Sequence, residues 1–253
     1  YDRVVPWLKK NAGAPGYDRG LYLAAQALKG RLEPIRAFYY CDQLMDEHPE
    51  SELFQDALSL QYELADLYFD GLRDKFLGAR IVARDDAAID MLFRIQQRAP
   101  GSPVAEKALL RTADWYWSDG QFDLAADAYQ SYVKAYPRSP LVPQARLREA
   151  YSNLAQFRGP AFDSTAILNA RQLIASLIAE YPDLAKEQDL PAKMELADRQ
   201  LARKLVIRAD YYRRTGQPAS AVKLCKRAIE KFPNLPEADD ARKLLARLEP
   251  AAQ

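Results

Sequence analysis

Five times along this chain a helical run is stopped by a proline, at His48-Pro49, Ala99-Pro100, Tyr136-Pro137, Tyr181-Pro182 and Phe232-Pro233. Upstream of the stops lies a ladder of small and large apolar residues. Ala125, Tyr129 and Tyr132 precede Pro137 at offsets of 12, 8 and 5, and Ala221, Cys225 and Ala228 precede Pro233 at the same offsets. Ala37, Cys41 and Leu44 stand likewise before Pro49. Proline lacks the amide hydrogen a helix interior needs and disfavours α geometry in the residue before it, so each motif closes a helix. A recurring offset set of this kind marks a helical repeat array. Such arrays build binding surfaces far more often than catalytic sites.

The third copy serves as template. Leu109, Ala113 and Tyr116 recur at helical spacing and form one face of a first helix, A. Ser118-Asp119-Gly120 breaks the run, with glycine free to take the left-handed cap. Phe122 and Ala125 begin helix B, and alanines 113 and 125 allow the two helices to pack closely. The fifth copy repeats this with Leu205, Ala209, Tyr212 and Gly216. The first has Leu21, Ala25 and Leu28, with Leu32 in the place of the turn glycine and Pro34 opening helix B. In the second copy Ala65 and Tyr68 mark helix A, and Ala88, Leu92 and Ile95 mark helix B. Between them GLRDKFLGARIVAR, 71–84, is longer than a turn requires. In the fourth, helix A runs to about Phe157, RGPAFDSTAIL follows, and Ala170, Ile174 and Leu177 mark helix B. Connections of this length are either functional or surface insertions, and both readings stand. Helix A of the fifth copy runs uninterrupted from about Pro191 to Arg214.

This pattern resembles the tetratricopeptide (TPR) repeat and implies an all-α TPR superhelix of about five helix pairs. The expected organisation is an extension at 1–16, then repeats at 17–50, 51–102 (inserted loop 71–84), 103–139, 140–185 (long connection near 158–166) and 186–249.

Charge and composition exclude several functions. A formal charge of +1 gives no support for phosphate-backbone binding, so no nucleic-acid partner is expected. No apolar stretch reaches the roughly 20 residues that span a bilayer. One histidine, His48, beside a helix-stopping proline, offers neither a metal cluster nor a nucleophile–base pair. No phosphate-cradling glycine motif occurs. Asp85-Asp86 and Asp239-Asp240 fall at helix starts, where negative charge offsets the helix dipole. The chain is read as non-enzymatic, without cofactor or metal. Cys41 and Cys225 share one repeat slot and are expected to be small buried hydrophobes, too far apart to bridge.

A long penultimate helix, Tyr211-Tyr212-x-x-x-Gly216, a short helix ending at Phe232-Pro233 and a polar turn resemble the BamD family, the TPR lipoproteins of outer-membrane β-barrel assembly. KFPNLPEADDARKLLARL resembles that family's closing turn and final helix, and RQLIASLIAEYPDLAKEQD its fourth-to-fifth repeat junction. The likeness covers about residues 17–249. It implies a scaffold at the periplasmic face of the outer membrane, with outer-membrane protein precursors and a barrel-assembly subunit as partners. The chain opens at Tyr1 without a leader or the family's lipid-bearing cysteine, and is read as a mature or trimmed form. On this reading the membrane is met through a lipid anchor absent from this chain.

TPR arrays line their groove with helix A positions one beyond each core residue. Here these are Tyr22, Gln26 and Lys29; Tyr62, Asp66 and Phe69; Leu110, Asp114 and Trp117; Leu147, Tyr151 and Leu154; and Val206, Asp210 and Arg213. Tyr22, Lys29, Tyr62, Asp66, Phe69, Leu110, Trp117 and Tyr151 form the expected peptide-binding groove. Their rings suit apolar side chains of a bound segment, or else packing between repeats. Lys29 is the candidate for a terminal carboxylate. The fifth copy is basic, and Arg213, Arg214, Lys223, Lys226 and Arg227 form the expected partner-docking surface, with a solvated, locally ion-paired face as the alternative. A periplasmic TPR adaptor for cell-envelope or cell-division proteins is the second functional reading. A regulator that inserts its loops into a partner is the third.

Overall fold

The computed structural model describes residues 1–76 and 79–248. Residues 77 and 78 of the expected insertion, and residue 249 of the expected fifth repeat, lie outside the described residues. The chain divides into two compact units, Tyr1–Trp115 and Tyr116–Gln253.

The first unit holds α1 (Val4–Lys10), α2 (Tyr17–Gly30), α3 (Pro34–Glu47), α4 (Phe54–Phe69), β1 (Asp74–Phe76), β2 (Ala79–Val82), α5 (Asp85–Arg98) and most of α6 (Pro103–Ser118). Each of α2 to α5 packs on the next, and α1 packs on α2. The second unit holds α7 (Phe122–Ala135), α8 (Val142–Gln156), α9 (Thr165–Glu180), α10 (Pro182–Glu187), α11 (Leu190–Arg214), α12 (Pro218–Lys231) and α13 (Pro236–Leu248). In it α7 packs on α8, α8 on α9, α9 on α11, α11 on α12, and α12 on α13. Short turns between contacting helices make antiparallel pairs, which is the TPR architecture.

The proline stops are built alike. His48, Ala99, Tyr136, Tyr181 and Phe232 have φ between −134° and −126° and ψ between 51° and 68°. Each donates its amide to a carbonyl four residues back at 2.8–3.1 Å, closing the last turn before the proline. Counting back 12, 8 and 5 residues from all five prolines gives fifteen positions, every one with 0% exposure. The second and fourth copies, interrupted by insertions, therefore keep the helix B ladder of the other three. Pro182 both ends α9 and opens α10, because a first-turn proline loses no hydrogen bond.

The one departure from an all-helical chain among the described residues is the hairpin β1–β2 within 71–84. It is tied down at both ends. The Tyr68 hydroxyl donates to Asp74 at 2.9 Å, and Arg84 lies 3.7 Å from the same carboxylate. Arg80 reaches the turn between α2 and α3, donating to the Leu32 carbonyl at 2.9 Å. That turn contains Leu32 at φ 55°, where the matching turns place Gly120 at 76° and Gly216 at 73°. Period alone does not reveal the hairpin, since its strands of three and four residues are too short to show alternation.

Both cysteines are buried and free. Burial pushes the Cys41 thiol up to about 12 and raises that of Cys225. Each acts as a small apolar filler.

Candidate functional site

The expected groove residues fall in both units: Tyr22, Lys29, Tyr62, Asp66, Phe69 and Leu110 in the first, Trp117 and Tyr151 in the second. In the first unit, α2 and α4 present a cleft of about 410 Å³ whose lining includes Tyr22, Lys29 and Glu63. Lys29 is ion-paired to Glu63 across that cleft, so a bound carboxylate must compete with one already in place. Tyr22 and Tyr62 are half-buried, and burial raises both hydroxyls, with Asp56 adding to the effect at Tyr22 and Asp66 at Tyr62. Asp66 accepts from Arg111 Nε at 2.6 Å. The Arg111 guanidinium also sits 4.9 Å from the Phe69 ring centre, and Trp115 packs beside that ring at 6.0 Å. Leu110 is partly buried.

In the second unit, Trp117 stands edge-on to Phe122 at 5.2 Å, with Arg148 5.3 Å from its ring centre. Tyr151 has Lys193 Nζ 5.7 Å from its ring centre and its hydroxyl 3.4 Å from Gln188. Phe69, Trp117 and Tyr151 thus each carry a cation of the chain itself against a ring face. Each of these rings packs within its own unit and is only partly buried.

The expected docking residues separate into two kinds. Arg213 and Arg214 both bind Asp210, at 2.9 and 3.1 Å. Lys223, Lys226 and Arg227 are exposed and form no ion pair among the described residues. Arg227 and Arg208 flank a small cleft of about 160 Å³ floored by Leu201, Leu205 and Phe232.

Two groups escaped the sequence reading. The first is a polar staple in the first unit. Asp42, 7% exposed, accepts from Gln61 at 2.8 Å, Arg94 at 3.1 Å and Arg98 at 3.1 Å, joining α3, α4 and α5. Arg98 also reaches Asp46 at 2.6 Å, and its charged form is favoured by both carboxylates against the cost of burial. Its sequence trace is the matched spacing of Asp42/Asp46 and Arg94/Arg98, each four apart on one helix face. The second is a cleft of about 720 Å³ between α7, α8 and α9, lined by Gln130, Glu149, Asn153, Gln156, Asn169 and Gln172 among others. Burial raises the Glu149 carboxyl, opposed by a hydrogen bond with Gln130 and by Arg146 and Lys134. Among the described residues no cluster of His, Cys, Asp or Glu could hold a metal ion.

A family model decides the relationship. That of YfiO, described as an outer membrane lipoprotein, matches residues 83–251, more than half of the chain. The chain belongs to the YfiO family. The match begins where the hairpin ends, so it includes Leu110, Trp117, Tyr151 and every expected docking residue. Tyr22, Lys29, Tyr62, Asp66 and Phe69 lie outside it. Among curated proteins, the outer membrane protein assembly factor BamD of Caulobacter vibrioides is 22% identical over 144 residues. That is 57% of this chain, and the chain spans about half (47%) of that relative's length. Among solved structures, a tetratricopeptide repeat protein from Parabacteroides merdae aligns over 98% of this chain and 90% of its own, at 14% identity and TM-score 0.38. The TPR protein YrrB aligns over 88% and 91%, at 15% identity and TM-score 0.36. At those scores the chain's own helix pairing, and not the superpositions, carries the fold.

Proposed function

We propose that this chain is a non-catalytic TPR scaffold of the machinery that assembles β-barrel proteins into the outer membrane, acting at that membrane's periplasmic face. Family membership over residues 83–251 carries the proposal. The Caulobacter relative, itself named an outer membrane protein assembly factor, supports it. In this reading the half-buried rings of the A helices take up apolar side chains of unfolded outer-membrane protein segments. Tyr62 is the ring to weigh in the first unit and Trp117 in the second. The unpaired Lys223, Lys226 and Arg227 dock an acidic face of a partner subunit, since charges without an internal partner lose least on meeting an external one.

The groove assignment is tested by titrating peptides from outer-membrane protein C-termini against the wild type and a Tyr62→Ala/Trp117→Ala double variant. The variant is expected to bind at least about tenfold more weakly, the range for losing interfacial aromatics. Equal affinity removes the groove from the proposal. Recovery of peptidoglycan enzymes in place of a β-barrel partner on co-purification would favour the envelope-adaptor reading.

A further inference from the structure

Away from the groove and docking residues, α1 and α2 meet at a glycine. A Cβ built on Gly20 would lie 2.8 Å from Leu8 Cδ2 and 2.9 Å from Trp7 Cζ3, so Leu8 and Trp7 pack directly on bare backbone and would have to shift for any larger residue. Leu8 is buried by the contact at 5% exposure, whereas Trp7 beside it stays 40% exposed and Leu23, one turn beyond Gly20, 52% exposed. Val4, Trp7, Gly20 and Leu23 line an open cleft of about 320 Å³, and its remaining polar lining is Arg3 and Arg19, with no carboxylate. Lys9 and Lys10, in the last turn of α1 and outside the cleft lining, are exposed and add positive charge to the same helix. Arg3, Lys9, Lys10 and Arg19 form no ion pair among the described residues. The nearby acids have their closest partners elsewhere: Asp2 pairs with Arg31, and Asp18 accepts from the Ser51 hydroxyl, which lowers its carboxyl most, with the Arg19 charge a lesser influence.

We propose that this patch is a membrane-contact surface, laying Trp7 and Leu23 at the headgroup level of an anionic lipid bilayer. Two exposed apolar side chains flanked by Arg3 and Arg19, with Lys9 and Lys10 further along α1, complement a surface that is negative outside and apolar just beneath. Tryptophan is the residue best suited to that boundary, and arginine and lysine can keep their charged ends among phosphates while their stems lie on the apolar layer. Two apolar side chains make a contact too slight to hold the protein alone, so the patch orients a chain kept near the membrane by other means. The inference deepens the outer-membrane reading and rests on it only for which membrane is met. The lipid contact itself needs no assembly partner.

The full chain is sedimented with vesicles of equal parts phosphatidylglycerol and phosphatidylethanolamine, and with vesicles of phosphatidylcholine. The wild type is expected to pellet with the anionic vesicles in a salt-sensitive manner and to stay in solution with the neutral ones. Arg3→Glu/Arg19→Glu is expected to weaken the anionic partitioning at least about tenfold, since each basic side chain near such a surface contributes measurably. Lys9→Glu/Lys10→Glu, at exposed positions whose circular dichroism and melting should match the wild type, is expected to act in the same direction. A wild type that ignores anionic vesicles, or charge-reversed variants that bind them equally, overturns the proposal. Capture by polyglutamate with no vesicle binding also overturns it, making the patch a site for an acidic polypeptide. Either result leaves the peptide titration of the groove unaffected.

Discussion

Leu32 holds a left-handed backbone, φ 55°, that the two matching turns assign to glycine. A side chain there costs about 1–2 kcal/mol, and this one is 42% exposed and returns little by burial. Leu32→Gly is expected to raise stability by about 0.5–1 kcal/mol, part of the relief being lost to the freer unfolded chain. Urea unfolding measures it, and a loss would mean that Leu32 makes a contact worth more than its strain. Glu149 gives a pH test. Because burial raises its carboxyl in the folded state, that state holds the proton to higher pH than the unfolded chain does. The resulting stability is present below the ordinary glutamate range and is lost as pH rises through the raised value. Glu149→Gln, which cannot ionise, is therefore expected to gain on the wild type as pH climbs through that window and to keep a constant advantage above it. Denaturation series at several pH values would decide, and a pH-independent difference would contradict the assignment. Neither effect is written in the repeat pattern: Leu32 stood out in the sequence only as a missing glycine, and Glu149 not at all.

Between elements, the proline stops were readable because their cause is local. Steric exclusion before proline and spacing along one helix act within a dozen residues, so Tyr129, Cys225 and Ile174 could be assigned to buried faces from sequence, and all three have 0% exposure. The staple at Asp42 depends instead on three helices arriving together. Asp42→Ala is expected to cost about 3 kcal/mol, because it leaves Arg98, with a side chain only 23% exposed, without its inner carboxylate. A shift in denaturation midpoint worth less than about 0.5 kcal/mol would show that Asp46 alone suffices. The hairpin follows the same logic. Arg80 caps a turn some 48 residues earlier in the chain, a contact no local pattern announces.

Over the whole chain a net charge of +1 conceals local imbalance. Arg213 and Arg214 are answered by Asp210, while Lys223, Lys226 and Arg227 are left to solvent, so the five basic residues named together from sequence are not equivalent. Lys223→Glu/Lys226→Glu is expected to keep helix content and melting temperature near wild type while lowering recovery of a partner subunit severalfold, as loss of electrostatic attraction does. Unchanged recovery would move docking elsewhere. Where helices begin and end, and which of their faces are buried, followed from the order of residues, because backbone sterics and helical periodicity are short-ranged. Which rings are covered by a cation, which lysines stay unpaired, and how Gly20 seats α1 beneath a half-exposed Trp7 were decided by folding. Those outcomes depend on side chains brought together across tens of residues, and charge and contact are settled only once distance in space replaces distance along the chain.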